Sequence, residues 1–130
     1  MPRRHCHFVT FALFVCATAC GSPQTLRVTA IQLGRSLNAD NTVSDSAVTF
    51  RPNDKIYVSV LTTGRGSATM SVRWMYGSQV LDEPKKQVSY RDFAATDFSL
   101  QSAGAFPSGK YSAEIFVNGQ SVGTKPFRVD

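Results

Sequence analysis

The sequence predicts an all-β fold, an antiparallel two-sheet sandwich of seven or eight short strands behind an export leader. Three observations carry this. Apolar residues recur with a period of two, turn signals return roughly every eight to twelve residues, and no stretch repeats at helical spacing. Elements of that kind bury their apolar faces by packing one sheet on another. A small closed barrel is the alternative. At 130 residues the chain has room for one ordinary domain. Its 42% hydrophobic and 11% aromatic content is that of a folded protein and not of a disordered one.

The first residues read as an address. Pro2-Arg3-Arg4-His5 is a basic head, and Phe8 to Ala19 is an apolar stretch. That stretch is shorter than the roughly 18 residues a spanning helix needs. A positive head, a short apolar run and small residues before a cut define a secretory signal peptide. Ala17-Thr18-Ala19-Cys20 resembles a bacterial lipobox. The resemblance implies cleavage between Ala19 and Cys20, a diacylglyceryl thioether on Cys20, and a further acyl chain such as palmitate on its amine. Ala17 stands where the lipobox usually has Leu, and Ala17-Thr18-Ala19 also fits the A-x-A rule of ordinary signal peptidase. Both readings cut the same bond and differ in whether Cys20 is lipidated. Stable anchoring takes two membrane signals, which a multiply acylated Cys20 would supply. Gly21 is not the Asp that tends to retain such lipoproteins at the inner membrane, so the resemblance points to the cell outer membrane.

The predicted organisation is a signal peptide over 1–19, a lipidated Cys and tether over 20–25, and a sandwich over 26–130. Removing the leader leaves 111 residues with 12 basic and 9 acidic side chains, a mild excess. The basic residues are scattered, with no stripe interleaved with stacking aromatics, so nucleic acid is not an expected partner. His5, His7, Cys6 and Cys16 depart with the leader. The mature chain then has no His and only Cys20, which removes an intramolecular disulfide, a His/Cys zinc site and His-dependent nucleophilic catalysis. No cofactor is expected. A domain of this length can bury about two-thirds of its unfolded surface and needs no staple.

The strands follow in order. Leu26 to Leu33 is the first run. Arg35 to Ser46 is a polar loop with room for a short edge strand, and Ala47 to Phe50 begins again before the Arg51-Pro52-Asn53-Asp54 turn. Lys55 to Thr62 places Ile56, Val58 and Val60 on one face. Gly64 to Ser67 reads as a turn. Met70, Val72, Trp74 and Tyr76 share a face of the next strand. Gln79 to Leu81 is a short segment, Asp82 to Lys86 a polar loop, Gln87 to Tyr90 an edge strand, and Thr96 to Gln101 a further strand. Tyr111, Ala113, Ile115 and Val117 alternate with Ser112, Glu114 and Phe116. Asn118-Gly119 then meets the requirement of a type I′ turn for two positive φ angles. Ser121 to Val129 returns antiparallel, its Pro126 marking an edge or a bulge.

Pro107-Ser108-Gly109-Lys110-Tyr111, Glu114 to Gly119 and Phe127-Arg128-Val129 resemble the closing hairpin of bacterial immunoglobulin-like domains. Phe50 to Tyr57 and the Trp74 strand fit the same group. The resemblance covers residues 25 to 130 and implies an immunoglobulin-like antiparallel β-sandwich. It implies further that Trp74 fills the core-Trp position and that Tyr111 is a tyrosine-corner residue. It is nearly silent on function, because such sandwiches host many roles.

Candidate chemistry is sparse. Gly104 to Lys110 matches G-x-x-x-x-G-K, but Tyr111 replaces the Ser or Thr that would hold Mg²⁺, and the run opens a strand, not a helix. Asp40, Asn41 and Asp45 offer oxygens, yet their spacing fits no calcium loop and turn chemistry explains them. Glu83 and Glu114, with Asp82 beside the first, are the carboxylates a glycosidase would need about 5 to 9 Å apart across a cleft. Trp74, Tyr76, Tyr90, Phe93 and Phe116 are the aromatics a sugar-binding platform would use, although the phase of Trp74 places it in the core. Phe116 lies on the polar face of its strand. It is either an exposed anchor or covered by the N-terminal strand, and cover is the favoured reading. Phe116 and Arg65 are the candidate binding residues.

The expected function is that of an outer-membrane-anchored lipoprotein, a non-enzymatic protein-binding or scaffolding module with an envelope protein as partner. Carbohydrate or peptidoglycan binding is the alternative. The anchor has a direct test. The intact mass of the mature protein from its native envelope should exceed that of residues 20–130 by one diacylglyceryl and one acyl group, and the unmodified mass would refute lipidation of Cys20.

Overall fold

The computed structural model describes residues 25–130. The predicted signal peptide, the Ala19–Cys20 cleavage site and the lipidation site Cys20 lie outside the described residues. In chain order the strands are β1 (Arg27–Gly34), β2 (Thr49–Phe50), β3 (Ile56–Thr63), β4 (Gly66–Tyr76), β5 (Gln79–Asp82), β6 (Lys85–Tyr90), β7 (Ala94–Leu100), β8 (Gly109–Val117) and β9 (Gln120–Val129). One sheet has the order β1-β3-β7. The other runs β2-β9-β8-β4-β5, with β6 also paired to β4. All pairings are antiparallel except β2 with β9.

The core lies between the sheets and is built by alternation. Ile56, Val58 and Val60 of β3 and Phe98 and Leu100 of β7 face Met70, Val72 and Trp74 of β4, Ala113 and Ile115 of β8, and Phe127 and Val129 of β9, all buried. Phe127 is the aromatic junction. Its ring meets Phe50 edge-on at 5.4 Å and Trp74 edge-on at 6.1 Å, and it stacks on Tyr111 at 5.4 Å. Such pairs add about 0.5–1.5 kcal/mol each beyond the area they bury. Trp74 is fully buried, and its Nε1–H is the one buried side-chain polar atom without a hydrogen-bond partner among the described residues. That donor costs about 1–3 kcal/mol, which the burial of the largest side chain in the core must offset.

Several features differ from the sequence reading, chiefly for non-local reasons. The predicted turn over Gly64 to Ser67 is confined to Gly64 and Arg65, because Gly66 and Ser67 pair with Tyr90 and Ser89 and so begin β4. The predicted polar loop Asp82 to Lys86 contains the start of β6. Pro84 breaks the edge there, its carbonyl still accepting the Val72 amide at 3.1 Å. β5 and β6 therefore lie in line on one side of β4, two pieces of a single edge. With that edge divided and the two-residue β2 counted, the strands number nine, not seven or eight. The loop after β1 makes two isolated bridges, Gly34 to Ser46 and Leu37 to Val43, in place of an edge strand. It doubles back so closely that a Cβ on Gly34 would sit 2.2 Å from the Asp45 carbonyl oxygen, so only glycine fits.

The two turn signals at the C-terminal hairpin are met. Asn118 and Gly119 have φ of 51° and 80°, as the type I′ turn requires. Pro126 pairs with Ser112 through one side of β9. Arg128, of the same parity, donates its amide outward to Val48, so the donor Pro126 lacks would have pointed past the short β2 into unpaired space. The bulge falls nearer the tip, between Ile115 and Phe116 on β8 and opposite Val122 on β9.

Arg35 fastens the far end of the sandwich. Its Nη2 donates to the Thr49 carbonyl at 2.6 Å and its Nε to Asp54 at 3.2 Å, while the guanidinium lies 5.4 Å from the Phe50 ring centre. Asp54 also accepts the Arg51 amide at 2.8 Å. That amide, before Arg35, holds the Asp54 carboxyl below the usual carboxylate range.

Candidate functional site

The outer face of the six-stranded sheet carries the most organised set of polar side chains. The β4–β8 register places Ser71 beside Phe116 and Arg73 beside Glu114. Arg73 ion-pairs through Nε with Glu83, at the break between β5 and β6, and through Nη1 with Glu114 at 3.8 Å. Its guanidinium also lies 4.9 Å from the centre of the Phe116 ring. Glu114 accepts the Ser121 hydroxyl at 2.7 Å. Glu83 is the first cause of the raised Arg73 pKa, which keeps the guanidinium charged. A shallow groove of about 190 Å³ runs beside these groups, bordered by Ser71, Arg73, Glu83, Lys85 and Phe116.

This arrangement corrects one expectation and decides the meaning of others. Phe116 is half-buried, but its cover is Arg73 and not the N-terminal strand, which belongs to the opposite sheet. Arg73 was invisible as a lid in the sequence because it is 43 positions away and becomes a neighbour only through the β4–β8 register. Glu83 and Glu114 do come together, with an arginine between them. Both are taken up by Arg73 in ion pairs on the outer face of one sheet, not set across a cleft. The two candidate binding residues are not brought together. Six positions of β4 separate Arg65 from Ser71, the partner of Phe116, about 20 Å at the rise of a strand. Arg65 is exposed on the β3–β4 turn, where its backbone bridges Thr25.

The remaining motifs resolve into structure. Gly104 to Lys110 opens β8 and not a helix. Phe106 is buried within the run, and its amide donates to the Pro52 carbonyl at 2.8 Å. Gly109, with φ of 143°, lies where a Cβ would stand 3.0 Å from the Tyr76 ring. In the Asp40–Asp45 loop each group already has work. Asp40 accepts the Thr42 hydroxyl and amide, which hold its carboxyl below the usual range. Asn41 adopts a positive φ and takes the Ser59 hydroxyl on its carbonyl, and Asp45 lies 3.9 Å from Arg35. The aromatics are dispersed. Trp74 is core, Tyr76 stacks on Tyr111 and donates to the Ser108 carbonyl, Tyr90 bonds Thr96, and Phe93 stands alone on the β6–β7 turn.

The fold is similar to that of an immunoglobulin-like protein from Pseudomonas aeruginosa, at 13% identity and a TM-score of 0.55, matching 85% of this chain and 100% of that one. The chain folds as an immunoglobulin-like β-sandwich. β4 and β8 then take the places of the central strands of such domains. Trp74 on β4 fills the core-Trp position. Tyr111, near the start of β8, forms the tyrosine corner, its hydroxyl donating to the Pro107 carbonyl at 2.5 Å. Two residues on, where antibody domains carry the second cysteine of the inter-sheet disulfide, this chain has the buried Ala113. A similar fold recurs in a β-glucosidase of intestinal bacteria involved in saponin metabolism (14% identity, TM-score 0.57) and in a Listeria innocua β-glucosidase (9%, 0.54). Each match covers 82% of this chain but 16% of the enzyme, so the likeness is to one piece of a larger protein and is a likeness of fold alone. No protein-family model matches the chain, and no curated protein matches it in sequence.

Tyr111 gives this site a pH signature. Burial first, and the neighbouring Tyr76 second, raise its phenol above the ordinary value. The fold therefore favours the protonated form. That contribution is complete below the unfolded pKa of about 10 and is lost as pH rises from there through the higher folded value. Tyr111→Phe should cost about 1 kcal/mol at neutral pH through the lost hydrogen bond. It should also lose stability less steeply than the parent above about pH 10. Urea unfolding at neutral and alkaline pH checks both, and equal alkaline slopes would contradict the account.

Proposed function

We propose that this chain is a membrane-anchored lipoprotein of the cell envelope, at the outer membrane, whose single sandwich is a non-enzymatic protein-binding or scaffolding module. The observation that carries the reading is the free edge at β5. All four of its residues are exposed, and Val80 and Leu81 retain 49% and 39% of their surface. The other edges are guarded or, at the two-residue β2, very short. Lys86 donates to the Asp97 carbonyl of β7 at 2.5 Å, and β6 carries Lys85 and Lys86 after Pro84. Beside β1 the following loop folds back, and the Arg35 amide donates to the Asp45 carbonyl. Lysines, prolines and covering loops are how sheet edges avoid unwanted pairing. A short strand that exposes Val80 and Leu81 with neither a lysine nor a covering loop suits the addition of an extended segment from a partner, with main-chain hydrogen bonds for affinity and side-chain pockets for specificity.

Beside that edge, the Arg73–Glu83–Glu114–Phe116 face supplies a fixed pattern of charge that a partner would read. Export, the absence of His from the mature sequence and the arginine between the two glutamates all favour binding over catalysis. A carbohydrate platform would need several aromatic faces side by side, and the five candidates stand apart. Photo-crosslinking residues at Val80 and at Phe116, with Asn53 on the turn before β3 as control, test the proposal in the native envelope. One dominant protein adduct from the first two sites and none from Asn53 is expected. Recovery of wall or glycan material without a protein adduct would refute it.

A further inference from the structure

The end of the sandwich where the described chain begins differs from every other surface. Thr25 bridges Arg65 on the β3–β4 turn, and Arg27 pairs with Thr63 beside it. Gly66 pairs with Tyr90 and Thr62 with Ala94, so the β6–β7 turn, with Arg91, Asp92 and Phe93, lies against the same end. Arg27, Arg65 and Arg91 are all exposed, and no carboxylate among the described residues pairs with any of them. Asp92 is the one acidic side chain here, and it is engaged by the Phe93 amide at 2.8 Å. Phe93 keeps 52% of its surface. Val122, near the tip of the β8–β9 hairpin, keeps 43%. An apolar crevice of about 260 Å³ between Leu26, Val28, Met70, Val117 and Val122 opens at the seam nearby. The opposite end mixes its signs instead, with Arg35 against Asp45 and Asp54, and Arg51 beside Asp54.

We propose that this end is a membrane-docking face, its three arginines and exposed Phe93 seated on the anionic headgroups of the bilayer. The inference rests on the lipid anchor at Cys20. From Cys20 to Thr25 the chain reaches at most about 18 Å. β4 is 11 residues long, about 37 Å at the rise of a strand, so a tether that short holds this end toward the bilayer and cannot bring the far end to it. Cations at the headgroup level with an aromatic side chain at the boundary are the chemistry of interfacial attachment. Each arginine near an anionic surface strengthens attachment about fivefold. Docking this end presents the β5 edge sideways, away from the lipid.

The mature chain contains a single Cys, at Cys20. Coupling it to a maleimide-headgroup lipid in nanodiscs anchors the protein whether or not the cell acylates it. With a spin-labelled headgroup lipid present, broadening of amide resonances maps the face that meets the bilayer. On membranes containing phosphatidylglycerol, broadening should be strongest at Arg27, Arg65, Arg91 and Phe93 and weakest at Asn53 and Gly77. It should weaken at those residues on purely phosphatidylcholine membranes, at high salt, and in R27Q/R65Q/R91Q, leaving the shallower gradient that the tether alone imposes. Salt acts on the unmodified protein, so the outcome does not depend on the variant's folding. Broadening at this end that does not respond to salt or headgroup charge, or broadening centred on another face, would overturn the docking face while leaving the anchor intact. An unmodified native mass would overturn the anchor alone.

Discussion

Everything in this molecule depends on how two sheets are held together without a covalent pin. The solution is the packing of the apolar inner face of β3 and β7 against that of β4, β8 and β9, with an aromatic cluster around Phe127 bracing the six-stranded sheet from the inside. One side chain at the C-terminal end of β9 touches Phe50 of β2, Trp74 of β4 and Tyr111 of β8. Around it the inner faces of both sheets are apolar, and Ala113 sits where a disulfide cysteine would in an antibody domain. Close packing between the sheets therefore does the work a cross-link does elsewhere, in a domain whose described residues, 25–130, contain no cysteine.

The same constraint explains where the polar chemistry goes. A sandwich that commits its inner faces to packing has only outer faces, edges and ends to offer a partner. Each of these surfaces has a distinct character here. The outer face of β4 and β8 carries an arginine-centred ion network over Phe116. The β5 edge exposes Val80 and Leu81. The end that receives the chain at Thr25 is basic. The opposite end is tied by Arg35 and by the tyrosine corner. The rigid parts and the parts available for contact are thus different residues.

How much of this was legible in the sequence depends on distance along the chain. The hairpin from Tyr111 to Val129 was readable because alternation, Asn118-Gly119 and Pro126 are local signals, and local physics fixes them. Trp74 and Tyr111 were readable from phase and from a short motif. Gly66 and Ser67 look like turn residues and become strand only because β6 supplies partners. The parallel pairing of β2 with β9 joins segments nearly eighty residues apart and leaves no local trace. Phe116 shows the same limit at the candidate site. Its place on the polar face was clear, but the identity of its cover was set by a register that no short window contains. Cys20 is the reverse case, a site argued wholly from local pattern and lying outside the described residues.

The most direct measurement is native-state hydrogen exchange on Phe127→Leu. Leu keeps the site apolar but removes the ring contacts with Phe50, Trp74 and Tyr111, at a cost of about 1–3 kcal/mol. If the packed core makes the two sheets one cooperative unit, the slowest amides of β3 in one sheet and of β4 and β8 in the other should lose protection by the same amount. Protection lost in the six-stranded sheet alone, with β3 unchanged, would show that the sheets are not coupled through the packed core and would contradict the account.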